Sequence, residues 1–296
     1  MNQDLLNRYK AVREEGIGFY EQKRGLIAVW GKEAAQFLNG LITNDVAKLE
    51  DKEQMLAAFP NAQGRLLAQV RVLRQGDKFL FETEEATHEK VFKNLFRFTF
   101  AGDFFAEDLS DNFRYFEVTN HKLQITNTGF IEFQNSFGKN VFIPNDAAES
   151  FLNEIKNENA SEISDELYEV LRIENGVPLY GVDVDETTIV PELGIDELIS
   201  YQKGCYIGQE IIARIHFRGH IAKQLTGLIL ENKAKPNDEL KSLDGKNAGK
   251  ITSVTFSPKL EKYIALAFVR YDYLAEGTKL KVNETTAEVK TLPFIE

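Results

Sequence analysis

The sequence predicts an α+β fold that ends in a small antiparallel β-barrel. Up to about residue 220, stretches with helix and strand periodicity mix without the regular strand–helix alternation of a doubly wound sheet. From Ile221 onward, short β-rich runs are separated by turn signals, which is typical of a small antiparallel barrel. The 296 residues are enough for two or three domains. We predict two α+β domains over 1–110 and 111–220 and a barrel domain over 221–296.

Hydrophobic periodicity predicts the elements of the first domain in order. A polar helix is expected from Asp4 to Glu15, where Gly16 ends it, and a short amphipathic helix is expected after Gly31. Apolar or alternating runs predict strands over 25–30, 54–59, 65–73 and 78–83. Helical spacing of Val91, Phe92, Leu95 and Phe96 predicts a helix over 85–100.

The second domain and the barrel follow from the same signals. Strands are expected over 113–119 and 129–133 and in a run that ends at Pro144. Helices are expected from 145 or 146 to 156 and over 166–174, the latter capped by Asp165 and stopped by Gly176 and Pro178. Barrel strands are expected over 224–230, 249–256, 263–269, 279–282 and 287–291.

Composition limits the possible partners and compartment. A net charge of −11 makes general binding to nucleic acid or to an anionic membrane a poor hypothesis. The single cysteine excludes an intrachain disulfide and favours a reducing compartment. The first ten residues carry no signal-peptide run, and no stretch approaches the ~20 apolar residues of a spanning helix. We therefore expect a soluble, cytoplasmic protein with no membrane partner.

That cysteine, Cys205, lies in the run Lys203–Glu210, between glycines at −1 and +3. Glycines allow a tight turn, and a lysine near a thiol favours the reactive thiolate. The run therefore predicts a turn that presents an activated sulfur, followed by an anchoring helix or strand. The alternative is a small buried thiol in a loop, which is what most lone cysteines are.

Four ordered stretches of this chain resemble motifs of the YgfZ family of folate-binding proteins, within the larger aminomethyltransferase (glycine cleavage T-protein) superfamily. The stretch around Cys205 matches the family signature nearly letter for letter. The matching stretches are 37–45 (FLNGLITND), 171–178 (LRIENGVP), 189–194 (IVPELG) and 203–210 (KGCYIGQE).

The resemblance implies two mixed α/β domains and a barrel, arranged as a ring around a central channel that holds tetrahydrofolate. It implies that Glu174 holds the pterin, because one carboxylate can accept from adjacent ring N–H and amino donors. The alternative for Glu174 is a surface residue at a helix end. Asn44 lies in the first of the matching motifs, and the resemblance implies that it also binds the folate.

The anionic glutamate tail of a folate needs positive charge at the channel mouth. Arg214, Arg218 and Arg65 are the candidates, and their alternative is a set of solvated or ion-paired surface arginines. His216 and His220 have the i, i+4 spacing of metal ligands, but no His-x-x-Glu partner follows them. We therefore predict no metal site.

One departure from the superfamily pattern bears on the chemistry. The T-protein places aspartates near N10 of the folate, and the matching segment here has Ala68 and Gln69. Neither side chain can accept a proton or support a developing cation. The resemblance instead makes Cys205, with Lys203 beside it, the expected catalytic group, able to meet a one-carbon unit, a partner thiol or an Fe–S cluster.

Three functions remain open from the sequence. The first is a tetrahydrofolate-binding accessory protein that supports the assembly or repair of Fe–S enzymes, including radical tRNA-modifying ones, through Cys205. The second is a folate-dependent one-carbon transferase on an unidentified substrate. The third is an interaction module with a vestigial cavity. The Fe–S role rests on the resemblance alone, and the expected partners are a reduced folate and Fe–S enzymes or cluster-assembly proteins.

Overall fold

The structure is a computed structural model and describes residues 3–119, 129–135 and 138–295. The chain begins with helix α1 (Gln3–Lys10), which continues as a π-helical turn over Ala11–Glu15. This agrees with the predicted helix, except in the geometry of its last turn. An extended segment then forms strand β1 (Gly18–Gln22), which the sequence did not predict.

The first sheet contains five antiparallel strands in the order β3-β4-β5-β2-β6. These are β2 (Arg24–Trp30), β3 (Gln54–Pro60), β4 (Leu66–Gln75), β5 (Lys78–Glu84) and β6 (Phe105–Asp108). Helices α2 (Ala34–Leu41) and α3 (Glu85–Phe96) pack on one face, where Leu38 and Leu95 join a core with Ile27 and Phe81. The four predicted strands are confirmed. The edge strand β6 was missed because its residues are mostly exposed and show no apolar run.

The second sheet has the order β10-β1-β7-β9-β8. Its other strands are β7 (Phe113–Val118), β8 (Ile131–Asn135), β9 (Gly138–Pro144) and β10 (Ser161–Glu162), and its helices are α4 (Ala148–Asn157) and α5 (Asp165–Glu174). Strand β10 pairs in parallel with β1. Leu5 and Tyr9 of α1 pack against Leu167 and Leu171 of α5. Residues 3–22 therefore lie with the second sheet. The predicted domain boundary at residue 110 did not include this detail, and that boundary stays a prediction.

A long connection follows α5 and leads to helix α6 (Gln209–Arg218) and then to the barrel. The barrel closes in the order β11-β14-β13-β12-β15-β16, which confirms the predicted architecture. Its strands are β11 (Lys223–Leu230), β12 (Glu239–Lys241), β13 (Asn247–Ser257), β14 (Lys262–Arg270), β15 (Lys279–Val282) and β16 (Thr285–Lys290). Strand β12 was not predicted, because three residues carry too little pattern.

The two sheets share an apolar layer. Leu26 and Leu80 from the first sheet pack with Tyr115, Phe133 and Phe142 from the second. Beside this layer the same strands carry charged side chains, and there the cavity described below opens. Within the described ranges, no helix is both long and apolar enough to cross a membrane.

Candidate functional site

A central cavity of about 330 Å³ lies where the two sheets and α5 meet. Its polar lining from the first sheet, the second sheet and α5 is, in chain order, Arg24, Gln54, Gln69, Arg71, Glu82, Glu84, Glu117, Gln134, Asn140 and Tyr168. On β4, Gln69, Val70 and Arg71 all line the cavity, whereas Ala68 is fully buried in the helix-covered core.

Buried ion pairs organise one wall of this cavity. Glu82 lies between two guanidinium groups, hydrogen-bonded to Arg71 and 3.5 Å from Nε of Arg24. The Tyr115 hydroxyl also donates to Glu82, at 3.1 Å. Burial opposes ionisation of Glu82, but the two arginines outweigh it and hold its pKa below the ordinary value. Glu82 is therefore a fixed negative charge at neutral pH.

Two other carboxyl groups of the lining behave differently. Burial raises the pKa of both Glu84 and Glu117 above the ordinary value. Glu84 Oε2 accepts from the backbone N–H of Tyr180 at 2.9 Å, and Glu117 Oε1 accepts from Gln22 Nε2 at 2.6 Å. Oε2 of Glu117 has no partner among the described residues. Both groups can hold a proton more readily than an exposed glutamate, and both can accept from a ligand.

A second cavity of about 440 Å³ adjoins the first and shares Gln69, Val177 and Pro178 with it. It lies between the connection after α5 and the barrel, with Gly194 and Gln224 among its lining residues. The two cavities together form a path from the sheet layer to the barrel, with Gln69 where they meet.

Glu174 is not among the residues that line either cavity, and its predicted contact with the pterin stays a prediction. Its side chain is fully buried at the end of α5, and its oxygens accept from the hydroxyls of Tyr9 (2.8 and 3.0 Å) and Ser257 (2.6 Å) and from Arg13 (2.7 Å). In this arrangement the carboxylate already has a full set of donors and joins α1, α5 and the barrel. A pterin at Glu174 would have to displace them.

Cys205 is exposed, in a turn just before α6, as the glycine spacing predicted. It is not among the residues that line the central cavity, and its predicted catalytic role stays a prediction. The segment expected to anchor this turn, either a helix or a strand, is helix α6.

Lys203 is buried and points away from solvent. Its Nζ donates to the backbone carbonyls of Ile42 (2.8 Å) and Asn44 (2.6 Å). Burial lowers the pKa of Lys203 to about 8, against the opposing charge of Asp45. The backbone N–H of Ile207 also donates to Gly40, at 3.1 Å. The cysteine turn is thus fastened to the first sequence motif, and Lys203 serves this attachment.

The other predicted site residues are not part of the lining of the two adjoining cavities. The Asn44 amide donates to the carbonyls of Leu56 and Glu197, both at 2.8 Å, which holds the loop after α2. Arg65 donates to the Thr187 carbonyl at 2.9 Å. Arg214 and Arg218 are exposed on α6. None of the four lines the central cavity. Their predicted contacts with a folate remain predictions.

The charged lining of Arg24, Arg71, Glu84 and Glu117 was missed by sequence reasoning. These residues lie singly on strands, with no motif to mark them. One signal was available, because Glu82 and Glu84 follow the apolar run Phe79–Phe81 on the same buried strand, and buried acids need a reason. Within the described ranges, no group of three or more His, Cys, Asp or Glu side chains is arranged to hold a metal ion.

Comparison with known proteins agrees with this architecture. Residues 1–120 match the GCVT N-terminal domain, and residues 223–295 match the glycine cleavage T-protein C-terminal barrel domain. Aminomethyltransferases of Thermoanaerobacter pseudethanolicus and Clostridium botulinum strain Langeland are 25% and 26% identical, covering 98% and 97% of this chain and 88% and 87% of their own. The crystal structure of glycine cleavage system aminomethyltransferase T from Bartonella henselae has the same fold, with a TM-score of 0.89 at 17% identity over 99% of this chain and 90% of its own.

Proposed function

We propose that this chain, whose residues 1–120 and 223–295 match domains of the glycine cleavage T-protein, binds tetrahydrofolate or a one-carbon derivative in its central cavity. The observation that carries the proposal is the pair of adjoining cavities, whose polar end has carboxylates able to accept from a ligand. A long, narrow ligand with a polar bicyclic ring suits this shape. The curated relatives are named aminomethyltransferases, which agrees with a folate ligand.

Glu84 is the residue we propose for the pterin ring. It lines the central cavity, and its Oε1 has no hydrogen-bond partner in the part of the chain that is described. A pterin offers adjacent ring N–H and amino donors, which a single carboxylate can accept. Binding would favour the ionised form of Glu84, offsetting the burial that raises its pKa. Glu174, whose carboxylate already accepts from Tyr9, Arg13 and Ser257, is not needed for this contact.

The experiment is a calorimetric titration of tetrahydrofolate into the wild type and a Glu84→Gln variant. The loss of a charged acceptor is expected to weaken affinity about tenfold or more, since hydrogen bonds to charged groups contribute about 1.5–3 kcal/mol. Glu89→Gln is the matched control, because Glu89 is an exposed carboxylate on the helix that follows β5. Equal affinity in Glu84→Gln would remove the pterin assignment, and no binding to the wild type would overturn the folate proposal itself.

Beyond folate binding, we propose an accessory role in the assembly or repair of Fe–S enzymes, with Cys205 as the group that meets the partner protein. Two observations support this role over aminomethyl transfer. Gln69, where the cavities meet, has an amide in place of a carboxylate, and an amide offers no base. Cys205 is exposed and is not among the residues that line the two cavities, and a thiol that contacts a macromolecule must be exposed. The identity of the partners comes from the family resemblance.

A Cys205→Ala variant is expected to lose the ability to complement a deletion strain while its thermal unfolding stays unchanged, because the side chain is exposed. Fe–S enzyme activity in the complemented cells is the measurement. Full complementation by Cys205→Ala would contradict the role of the thiol.

A folate-dependent one-carbon transferase is the second candidate, favoured by the similarity to aminomethyltransferases. Turnover of methylene-tetrahydrofolate by the pure protein would establish it. This reaction should persist in Cys205→Ala, because Cys205 does not line the cavity.

A further inference from the structure

A third cavity, of about 560 Å³, lies between the connection after α5 and the outer face of the barrel. We name it the barrel cleft. It shares no lining residue with the central cavity, and it is lined by Val182, Asp183, Asp185, Thr187, Thr188, Ala222, Lys223, Asn237, Asn247, Gly249, Lys250, Thr252, Phe268 and Arg270. We propose that the barrel cleft binds a small polyanion bearing phosphate or carboxylate groups.

Strand register brings three cations together on the floor of the barrel cleft. Lys223 on β11 is the direct partner of Arg270 on β14, and Lys250 on β13 is the direct partner of Phe268. Phe268 and Arg270 are two residues apart, so they point to the same face of their strand. Directly opposed side chains have Cβ atoms about 5 Å apart. All three cations therefore crowd one small patch.

This arrangement has an electrostatic cost in the free protein. Like charges directly opposite one another in a sheet destabilise it, and Lys223 faces Arg270. Within the described ranges, none of these three cations has a carboxylate within 4 Å. Such a cluster is conspicuous in a chain with a net charge of −11. A bound anion would remove the repulsion.

The two carboxylates of the cleft do not cancel this charge. Asp183 is buried and already paired with Arg172 at 2.9 Å, and it also accepts from the hydroxyls of Thr252 and Ser253. Asp185 accepts from the backbone N–H and hydroxyl of Thr187, which together with Lys223 hold its pKa below the ordinary value. One free negative charge thus faces three positive ones.

Neutral donors complete the cleft. The side-chain amides of Asn237 and Asn247 lie in the lining, and Lys223 also lies over the Phe268 ring, 4.3 Å from its centre. Arg65 reaches the rim, where it donates to the carbonyl of Thr187. Cations with amide N–H groups around an open cavity recognise oxyanions, through charge-assisted hydrogen bonds. Phosphate and carboxylate ligands share this chemistry.

The test is a calorimetric titration of pyrophosphate and, separately, of citrate at low ionic strength, where surface charges are least screened. The Lys250→Gln/Arg270→Gln variant is expected to bind about a hundredfold more weakly or worse, since each of the two lost charged contacts is worth about tenfold or more. The control is Lys262→Gln/Lys279→Gln, which removes the same charge from exposed barrel positions outside the cleft. It should bind as the wild type does, and all three proteins should bind tetrahydrofolate equally.

Each outcome decides the proposal. Selective loss in the cleft variant supports it, and the better of the two probes identifies a phosphate or a carboxylate ligand. Absence of binding of both probes to the wild type overturns it. Equal affinity in the cleft variant also overturns it, because binding would then not need these cations. An equal loss in the control overturns it as well, because the anion would then sense net charge only. The variant should fold, since it removes repulsion between exposed residues, and its thermal unfolding confirms this.

Discussion

Replacing Arg172 by methionine is expected to lower the free energy of unfolding by about 3–5 kcal/mol, the usual cost of removing one partner of a buried ion pair. Arg172 is fully buried in α5 and donates to Glu169, Asp183, Ser253 and the Val177 carbonyl, at distances of 2.6–3.0 Å. Without it, Asp183 keeps its charge in the interior with only neutral donors. Urea unfolding followed by circular dichroism measures the loss.

Arg114→Met is the matched control for this experiment. Arg114 also contacts two glutamates, Glu21 and Glu149, but its side chain is 30% exposed. Exposed ion pairs contribute about 0–1 kcal/mol, so the control should lose no more than that. A loss below about 1 kcal/mol in Arg172→Met would show that the second-sheet domain and the barrel are not held by this network.

The second large effect concerns Gly208, the glycine three residues after Cys205. Its φ of +80° lies in the left-handed region, and a Cβ there would come within 2.4 Å of the Asn61 carbonyl oxygen. Left-handed backbone costs about 1–2 kcal/mol for other residues, and the overlap with backbone adds to this. Gly208→Ala is therefore expected to destabilise the protein by about 2–4 kcal/mol, as measured by chemical unfolding.

Gly204, on the other side of the cysteine, provides the comparison. A Cβ at Gly204 meets no atom within 4 Å, and its φ lies outside the left-handed region. Gly204→Ala should change the free energy of unfolding by no more than about 0.5 kcal/mol. Similar effects at both glycines would contradict the view that only Gly208 seats the cysteine turn against the β3–β4 turn.

The sequence was informative wherever a long local pattern specified an element. The barrel strands other than β12 and the helices α3 and α5 have such patterns, and they were predicted within a few residues. Strands β1 and β10 were missed because a short, half-polar strand forms only when a partner strand pairs with it. Here the pairing joins residues 18 and 161, which are far apart in the sequence. No local window contains that information.

The candidate site shows the same limit. The exposed turn at Cys205 was predicted, because glycine spacing is a local signal. Sequence spacing could not reveal that Glu174 is enclosed by Tyr9, Arg13 and Ser257, which come from distant parts of the chain. It also could not show that the Lys203 ammonium group donates its hydrogen bonds to the carbonyls of Ile42 and Asn44. Those contacts depend on how separate elements pack, and only the fold determines them.

The membership of β1 in the second sheet has a consequence for the history of the molecule. The polypeptide enters the second sheet with β1, leaves it for all five strands of the first, and returns with β7. A single crossover between two genes cannot exchange one sheet without the other. A cut before β2 or after β6 separates β1 from the rest of the second sheet, and a cut between β2 and β6 splits the first sheet. Within the described chain, the barrel is the unit that a single crossover can exchange without splitting a sheet, because its six strands form one run that follows both sheets.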